Sequence, residues 1–514
     1  FSLANCSSVL PPSFNPPNNS ITMSAELSEI GLYGLAIMGQ NFALNMAEKG
    51  FKVSVCNRSP AKVDATVARA KAENIATLVG HKESKDFIAS LSKPRKVVLL
   101  VMAGKPVDDT IKLLSEFMEE GDIIVDGGNE WYPNSIRRSK ELEPKKILFV
   151  GMGISGGEEG ARNGPSLMPG GPKSAYDALH PILERSAAQV EGSACVTYCG
   201  EIGSGNYVKM VHNGIEYGDM QLIAEAYQIM KAIVGLSNDV MSARFAEWNK
   251  GELKSYLIEI TADILKKKDD MKGEGYVIDK IKDCTGMKGT GMWTVKEAAE
   301  QAVPAPTIAA ALDARFLSGR KEEREVAATI LKGPTEVPSV SHEQILEDLQ
   351  AALYAAKICS YAQGLCLIKA ASDAEGWNVD LSECCRIWRG GCIIRSGQLD
   401  HMRAAFSKDA GLKNLMIDAD FAAGLNQRHC QWRRIVTLCI ASGIPCPAFC
   451  ASLNYFDSYR TANLPANLTQ AQRDFFGGHT FERIDMEGSH HCQWSESHKD
   501  IGDVKERTAG NIGS

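Results

Sequence analysis

Short apolar runs alternate with helix-like segments through the first part of the chain. Residues 30–33 predict a strand, residues 41–49 predict a helix that Gly50 ends, and residues 51–56 predict a second strand. Further runs of the buried-strand type lie at residues 96–102, 122–126 and 147–150. Strands that alternate with helices predict a parallel sheet with helices on both faces.

A glycine-rich segment at residues 151–171 follows the last of these runs, and we expect it to form a loop. Beyond it, apolar positions recur with the period of an α-helix. The clearest helix spans residues 342–374, where Ser341 and Gln344 predict an N-terminal capping box and Gly376 predicts the end. Its apolar stripe consists of Ile345, Leu346, Leu349, Leu353, Ile358 and Leu365.

The change of period divides the chain into segments. We expect an α/β Rossmann-type dinucleotide-binding domain at residues 27–202, a large all-α substrate and dimerisation domain at 203–461, and a C-terminal tail at 462–514. Residues 1–26 are almost free of charge and rich in Ser, Asn and Pro. They are either a transit-peptide remnant, which implies a plastid, or a disordered leader before a start at Met23, which implies the cytoplasm.

Composition narrows the class of protein. With 44% hydrophobic and 23% charged residues, the 514-residue chain is typical of a soluble globular protein. A net charge of -7 argues against nucleic acid as a partner, and no uncharged apolar run is long enough to cross a membrane. The 15 scattered cysteines indicate reduced thiols. The run His490-His491-Cys492 suits a polar tail better than a metal site.

A Gly-x-Ala-x-x-Gly motif lies between the first predicted strand and the helix that follows. It consists of Gly34, Leu35, Ala36, Ile37, Met38 and Gly39. Such a turn lets the backbone approach a pyrophosphate at the helix N-terminus. At the end of the second strand, Asn57, Arg58 and Ser59 replace the acidic residue that would bind a ribose 2′-hydroxyl. A guanidinium can pair with a 2′-phosphate, which predicts NADP as the cofactor.

Four chemically active side chains lie in one helical run. Lys209, His212, Asn213 and Glu216 are offset by three, four and seven residues, so they share one helix face. An amine and a carboxyl group on one rigid element suit a reaction that removes one proton and returns another. Spacing alone also fits a solvated face with a Lys–Glu pair.

Other motifs complete a pattern that resembles the decarboxylating 6-phosphogluconate dehydrogenase family, in the β-hydroxyacid dehydrogenase superfamily. The resemblance covers roughly residues 29–485. Beyond the motifs above it rests on Asp126-Gly127-Gly128-Asn129 and on segments 154–158, 164–171, 388–395 and 464–473. It implies oxidative decarboxylation of 6-phosphogluconate to ribulose 5-phosphate with NADP, in the oxidative pentose phosphate pathway and without a metal. Lys209 is then the general base, Glu216 the acid that protonates C1, and His212 and Asn213 hold substrate hydroxyls.

The same resemblance assigns the remaining binding residues. The carboxylate end of the substrate is expected at Asn129, Ser155, Gly156 and Gly157, and its phosphate at Tyr217, Lys288, Thr290 and Arg315. Arg473 and His479 are expected to reach the active site of a neighbouring subunit, which implies a homodimer. The adenine side of NADP is expected at Val101, Met102 and Ala103, with Met102 standing where the family usually has Lys, and Asn129 is expected to contact the cofactor as well.

Two alternatives remain open at this point. Another β-hydroxyacid dehydrogenase, such as one for hydroxyisobutyrate, would share the cofactor motif, the Ser-Gly-Gly segment and Lys209. It would not need Lys288, Arg315, Arg473 and His479, which the resemblance places around a phosphate dianion. A silent NADP-binding protein would have no physical reason to keep both Lys209 and Glu216.

Overall fold

A seven-stranded sheet forms the N-terminal part of the protein in a computed structural model that describes residues 27–335 and 338–494. Its strands are β1 Ile30–Tyr33, β2 Val53–Cys56, β3 Leu78–His81, β4 Lys96–Leu99, β5 Ile123–Asp126, β6 Leu148–Ile154 and β7 Leu167–Gly170. The strand order is β3-β2-β1-β4-β5-β6-β7. The first six strands are parallel, and β7 pairs antiparallel to β6.

Helices connect these strands. They are α1 Ile37–Glu48, α2 Pro60–Ala72, α3 Ser84–Ala89, α4 Lys105–Leu114, α5 Tyr132–Leu142, α6 Gly157–Asn163 and α7 Lys173–Ser186, followed by the short strands β8 Gln189–Val190 and β9 Ser193–Ala194. Strand order reverses between β1 and β4, so the carboxyl ends of these strands form the crevice in which α/β proteins bind ligands. The prediction of a Rossmann-type sheet is confirmed.

The rest of the described chain is almost entirely helical, as predicted. Its elements are α8 Ser204–Ala232, α9 Asn238–Trp248, α10 Tyr256–Lys266, α11 Thr290–Glu300, α12 Pro306–Ser318, α13 Lys321–Ile330, α14 His342–Glu375, α15 Leu381–Ile387, α16 Gln398–Lys408, α17 Ala419–Ala441, α18 Pro447–Tyr459 and α19 Ala466–Gly477, with the strands β10 Phe481–Glu482 and β11 Ser489–His490. Helices α8 and α14 pack together inside a large apolar core. By length and composition α14 could cross a membrane, yet most of its apolar window is buried within the protein.

The prediction of a loop at residues 151–171 is wrong. This segment contains the end of β6, the helix α6 and the strand β7. Its glycines serve close packing: a Cβ on Gly151 would lie 1.9 Å from Oδ1 of Asn206, and one on Gly153 would lie 2.4 Å from Cβ of Lys209. Glycine therefore lets α8, which carries Lys209, lie directly against β6.

The capping box predicted for α14 is also wrong. The Ser341 side chain makes no capping hydrogen bond. The amide of Gln344 instead donates to Oδ1 of Asp348 over 3.0 Å, one turn further along the helix. The end of the helix is as predicted, because Gly376 adopts a left-handed conformation with φ of 69°.

The tail is more ordered than the sequence pattern indicated. Its described part forms α19 and the hairpin of β10 and β11 around the buried carboxylate of Asp474. This carboxylate accepts hydrogen bonds from the backbone N–H groups of Thr480 (2.9 Å) and Cys492 (3.1 Å) and from the indole of Trp494 (2.7 Å). The imidazole of His491 lies 2.8 Å from it. One buried anion therefore organises this segment.

Candidate active site

Two adjoining cavities lie where the carboxyl ends of the strands face the helical part. The larger, which we call the central cavity, has a volume of about 560 Å³, and the other, the cofactor cavity, has about 480 Å³. Four residues line both of them, namely Met38, Asn129, Ile154 and Lys288. A molecule in one cavity is therefore in contact range of a molecule in the other.

Lys209 and Glu216 both line the central cavity from α8. Burial lowers the pKa of Lys209, and the carboxylate of Glu216 partly opposes this effect. Burial raises the pKa of Glu216, against the opposing charges of Lys209 and Arg315. The amine is thus more easily neutral, and the acid more easily protonated, than either group in water.

His212 is completely buried and does not line either cavity. One ring nitrogen, Nδ1, lies 2.9 Å from Oδ1 of Asn213, and the other, Nε2, lies 3.2 Å from Oγ of Ser155. Burial and the nearby Lys209 hold the pKa of this imidazole well below its usual value. A neutral ring that donates to Asn213 through Nδ1 accepts the Ser155 hydroxyl through Nε2. In this structure His212 therefore orients two residues that line the cavity.

Asn213 links three elements at the centre of the site. Its amide nitrogen lies 3.2 Å from Oγ1 of Thr290, at the start of α11, and 3.5 Å from Oδ1 of Asn129, after β5. Ser155 and the glycines Gly156 and Gly157 line the same cavity at the end of β6 and the start of α6. Gly156 and Gly157 have φ of 109° and 62°, which leaves their backbone free to turn N–H groups towards a ligand.

Two cations contribute to the lining of the central cavity. Lys288 and Arg315 line it together with Tyr217 and Thr290. The Arg315 guanidinium stacks on the Tyr217 ring at 3.5 Å from the centroid and donates to the carbonyl of Gly286 over 3.3 Å. These contacts fix the direction of a group that carries several donors.

Arg473 and His479 do not line the cavities of their own chain. Arg473 donates to Gln470 over 3.0 Å on the exposed surface of α19, and His479 packs edge-on against Phe476 with centroids 6.1 Å apart. Both side chains are thus held in the tail, outside the central cavity formed by this chain.

The cofactor cavity begins at the turn between β1 and α1. Gly34, Leu35, Ala36, Ile37 and Met38 line it. Gly39 lies beneath, and a Cβ there would lie 1.8 Å from the Gly34 carbonyl oxygen. The first turn of α1 carries no acidic residue, so its N-terminus can accept a pyrophosphate. The Leu35 N–H donates to Oδ1 of Asn57 over 2.9 Å and so joins this turn to the end of β2.

Not every predicted cofactor residue lines the cavity. Asn57, Val101 and Met102 do, and Met102 is 76% exposed. Arg58 and Ser59 are exposed beside the cavity, and Ala103 and Gly39 are also absent from its lining.

Sequence reasoning missed several lining residues. They are Lys62, Leu100, Gly127, Gly128, Ile154, Met220, Gly286, Met287 and Ile393. Gly127 and Gly128 could have been predicted from the sequence, because they follow a predicted strand and the carboxyl ends of parallel strands meet at one edge of a sheet. Lys62, in the first turn of α2, follows Arg58 by four residues. The same reasoning that selected Arg58 applies to it.

Two family models match consecutive parts of the chain. The model of the NAD binding domain of 6-phosphogluconate dehydrogenase matches residues 29–200, and that of the 6-phosphogluconate dehydrogenase C-terminal domain matches residues 205–494. The Arabidopsis thaliana protein named 6-phosphogluconate dehydrogenase, decarboxylating 3, chloroplastic is 56% identical over 480 residues, covering 92% of this chain and 98% of its own. The Spinacia oleracea protein named 6-phosphogluconate dehydrogenase, decarboxylating 1 is 57% identical over 472 residues, with coverage of 91% and 98%.

A solved structure from Plasmodium falciparum is similar over the whole fold. It is described as 6-phosphogluconate dehydrogenase in its apo form, with its cofactor NADP+ and with its substrate 6-phosphogluconate. It is 50% identical, covers 91% of this chain and 100% of its own, and has a TM-score of 0.87. Both halves of the chain thus match the same family, and the chain belongs to the 6-phosphogluconate dehydrogenase family.

Proposed function

We propose that this protein catalyses the NADP-dependent oxidative decarboxylation of 6-phospho-D-gluconate to D-ribulose 5-phosphate and CO2, the reaction of the oxidative pentose phosphate pathway. The observation that carries the proposal is the placement of Lys209 and Glu216 in one cavity that opens onto the dinucleotide cavity. Relatives at 56% identity bear the name of this enzyme.

Lys209 acts first, as a neutral amine. It takes the proton from the C3 hydroxyl of the substrate, and burial favours the uncharged form that this step requires. NADP, when bound, accepts the hydride from C3. The oxidised substrate is a 3-keto acid, and the ammonium group of Lys209 now donates to its ketone oxygen.

Decarboxylation follows from the position of the ketone. A carboxylate β to a ketone loses CO2 because the ketone accepts the electron pair as an enol, and the Lys209 ammonium stabilises the developing negative charge. Glu216 then protonates C1 of the enediol to give ribulose 5-phosphate. Burial raises the pKa of Glu216, which favours the protonated form that this step needs.

The lining of the central cavity offers partners for both charged groups of the substrate. We assign the carboxylate to Asn129 and the Ser155-Gly156-Gly157 turn, and the 6-phosphate to Lys288, Thr290 and Arg315, beside Tyr217. Two cations in the lining favour a phosphate dianion over an unphosphorylated hydroxy acid. This favours 6-phosphogluconate over a hydroxyisobutyrate-like substrate.

The cofactor cavity fits NADP. A Cβ at Gly34 or Gly39 would collide with the backbone, so only glycine permits this turn, and such a turn lets the backbone approach a pyrophosphate. Lys62 lines the cavity, and Arg58 lies exposed beside it, so cations are available for a 2′-phosphate.

We further propose a homodimer in which the tail completes the neighbouring site through Arg473 and His479. The described residues of α13 are all at least partly exposed, although Val326 and Ile330 are large apolar residues. An isolated short helix of this kind is marginal in water, so a second copy of the chain is the natural cover. Leu468, Phe475 and Phe476 are likewise exposed on α19.

The compartment depends on residues 1–26, which lie outside the described residues. The relatives include proteins named chloroplastic and others whose names carry no compartment. We propose the cytoplasm, with the plastid as the alternative. The 14 cysteines of the described part are free thiols, which fits a reducing environment in either place. Mass spectrometry of the mature N-terminus decides between them.

Turnover tests the main proposal directly. Purified protein with NADP and 6-phosphogluconate is expected to produce NADPH and CO2 in equal amounts, with ribulose 5-phosphate as the second carbon product. NADPH formation with hydroxyisobutyrate and none with 6-phosphogluconate would support the other dehydrogenase class. NADP binding without turnover of either substrate would support a silent binding protein.

A further inference from the structure

A single buried guanidinium connects two loops of the cofactor cavity. Arg138 lies on α5 and is only 1% exposed. Its Nη1 donates to Oδ2 of Asp126 over 3.1 Å and to Oε2 of Glu130 over 2.6 Å. Its Nε donates to Oδ1 of Asp108 over 2.7 Å, and its Nη2 to the carbonyl of Gly104 over 3.0 Å. Arg138 does not line either cavity, so it acts only through these partners.

The first loop joins β4 to α4 and ends at Gly104. Its carbonyl is held by Arg138, and its N–H donates to Oε2 of Glu130 over 2.9 Å. Gly104 has φ of 82°, a conformation that favours glycine at this position. Val101 and Met102, immediately before it, line the cofactor cavity. Both polar groups of Gly104 are thus bonded to one buried ion pair, which holds this side of the cavity.

The second loop runs from the end of β5 to the start of α5. Asp126 accepts the N–H of Gly128 over 3.0 Å at one end, and Glu130 accepts the N–H of Trp131 over 2.9 Å at the other. Between these anchors lie Gly127 and Gly128, which line the cofactor cavity, and Asn129, which lines both cavities. Arg138 bonds both anchors and therefore sets the position of Asn129.

The charges make this arrangement dependent on Arg138. Asp126 and Glu130 are both buried, and both face the same guanidinium. Burial raises the pKa of Asp126 to about 6, while Arg138 opposes that rise. Without the guanidinium, the buried carboxylates of Asp126 and Glu130 would lose their counter-charge. Their mutual repulsion could then be reduced only if the loops moved or if the carboxylates took up protons.

We propose that Arg138 is a positioning residue that holds the 101–104 and 127–129 loops in the shape that NADP binding and hydride transfer require. The proposal rests on the proposed function for its catalytic part. Its binding part concerns the cofactor alone. Since a displacement of about 1 Å can cost up to about 100-fold in rate, the effect is expected to be large although Arg138 touches neither ligand.

Two variants test this role. Arg138→Lys keeps the charge but has one nitrogen in place of the guanidinium fork, so it cannot reach all four partners. Glu130→Gln keeps the shape but loses the carboxylate that binds Arg138 and Gly104. We expect each to raise the dissociation constant of NADP, measured by calorimetry without substrate, by about 10-fold or more, and to lower kcat up to about 100-fold. Hydrogen exchange of the ligand-free protein should quicken in peptides covering 100–106 and 126–132.

The neighbouring Arg137 supplies a matched control. It is more exposed and pairs with Asp108 and Glu141, without a bond to either loop. Arg137→Lys should therefore leave the NADP dissociation constant and the exchange rates unchanged. The proposal is overturned if Arg138→Lys and Glu130→Gln both stay within twofold of wild type in the NADP dissociation constant, in kcat and in the hydrogen-exchange rates. A lower Tm with unchanged NADP affinity in the folded protein would also overturn it, because that is the result of a purely structural role.

The outcome is separable from the proposed function. Should the wild-type protein bind NADP but fail to oxidise 6-phosphogluconate, the proposed function fails, while the comparison of NADP dissociation constants still decides the role of Arg138.

Discussion

Lys209 and Glu216 lie two turns apart on one face of α8, and both side chains reach the central cavity. Each alters the pKa of the other: the Glu216 charge favours the ammonium form of Lys209, and the Lys209 charge favours the carboxylate form of Glu216. Burial acts against both effects, so it favours a neutral amine beside a neutral acid. This is the pair of protonation states with which the proposed reaction begins.

Replacing the base should stop the first chemical step. Lys209→Met is expected to lower kcat by roughly 10²- to 10⁴-fold, because Lys231, the other lysine of α8, lies at the far end of the helix and outside the lining of the central cavity. NADP affinity should be unchanged. NADPH absorbance measures the first effect and calorimetry the second. Lys231→Met, an exposed change at the far end of α8 where Lys231 pairs with Asp279, is the control. Full activity in Lys209→Met would refute the assignment of the base.

Replacing the acid should affect product formation more than substrate binding. Glu216→Gln removes the proton that C1 receives, so kcat should fall while KM for 6-phosphogluconate changes little. In D2O the wild-type product should carry deuterium at C1. If the variant keeps the wild-type kcat and forms the same labelled product, Glu216 is not the proton donor.

Cofactor choice should depend on the two cations near the end of β2. Lys62 lines the cofactor cavity, and Arg58 is exposed beside it. Lys62→Met and Arg58→Asp should each lower kcat/KM for NADP by about 10-fold or more and leave that for NAD nearly unchanged, since NAD lacks the 2′-phosphate. The ratio of kcat/KM values for the two cofactors measures this. An unchanged ratio in both variants would remove the basis for a 2′-phosphate site here.

The proposed exchange of tails predicts complementation between inactive chains. Arg473→Ala has an intact Lys209 but a defective tail, and Lys209→Met has the reverse. Co-expressed with different affinity tags and purified as hybrids, they should form one fully equipped active site per dimer and recover about half of the wild-type activity per dimer. Hybrids as inactive as either parent would show that the tail acts within its own chain.

Protein stability should depend on the buried acid Glu297 of α11. Burial, with the nearby Glu300, raises its pKa from 4.5 to about 7. A raised folded-state pKa means that its stabilising contribution is complete below about pH 4.5 and is lost as the pH rises through about 7. Glu297→Gln should therefore raise Tm relative to wild type above pH 7, by at least ~2 °C, and lose this advantage at acid pH. Calorimetry between pH 5 and 9 tests this, with exposed Glu143→Gln as the control. An advantage independent of pH would contradict it.

Local sequence patterns were enough to predict much of the fold and part of the site. The apolar runs predicted five strands of the sheet, the Gly-x-Ala-x-x-Gly turn predicted the cofactor cavity, and helical spacing placed Lys209 and Glu216 on one face. These features depend on neighbours within a few residues, because strand and helix periods are set by the backbone. The sequence pattern predicted the position of the tail but not its internal structure. That structure depends on contacts of α19 and its hairpin with the single buried carboxylate of Asp474.

Contacts between distant segments decided the rest. The glycines of β6 have the sequence pattern of a loop, but their role is to let α8 pack directly against the strand. The burial of His212 behind Ser155 and the four hydrogen bonds of Arg138 join residues that are up to 57 positions apart in the chain. Burial sets the protonation of Lys209 and Glu216, and burial is a property of the packed molecule. The chain thus encodes which groups can react, and packing decides which of them meet and in which protonation state.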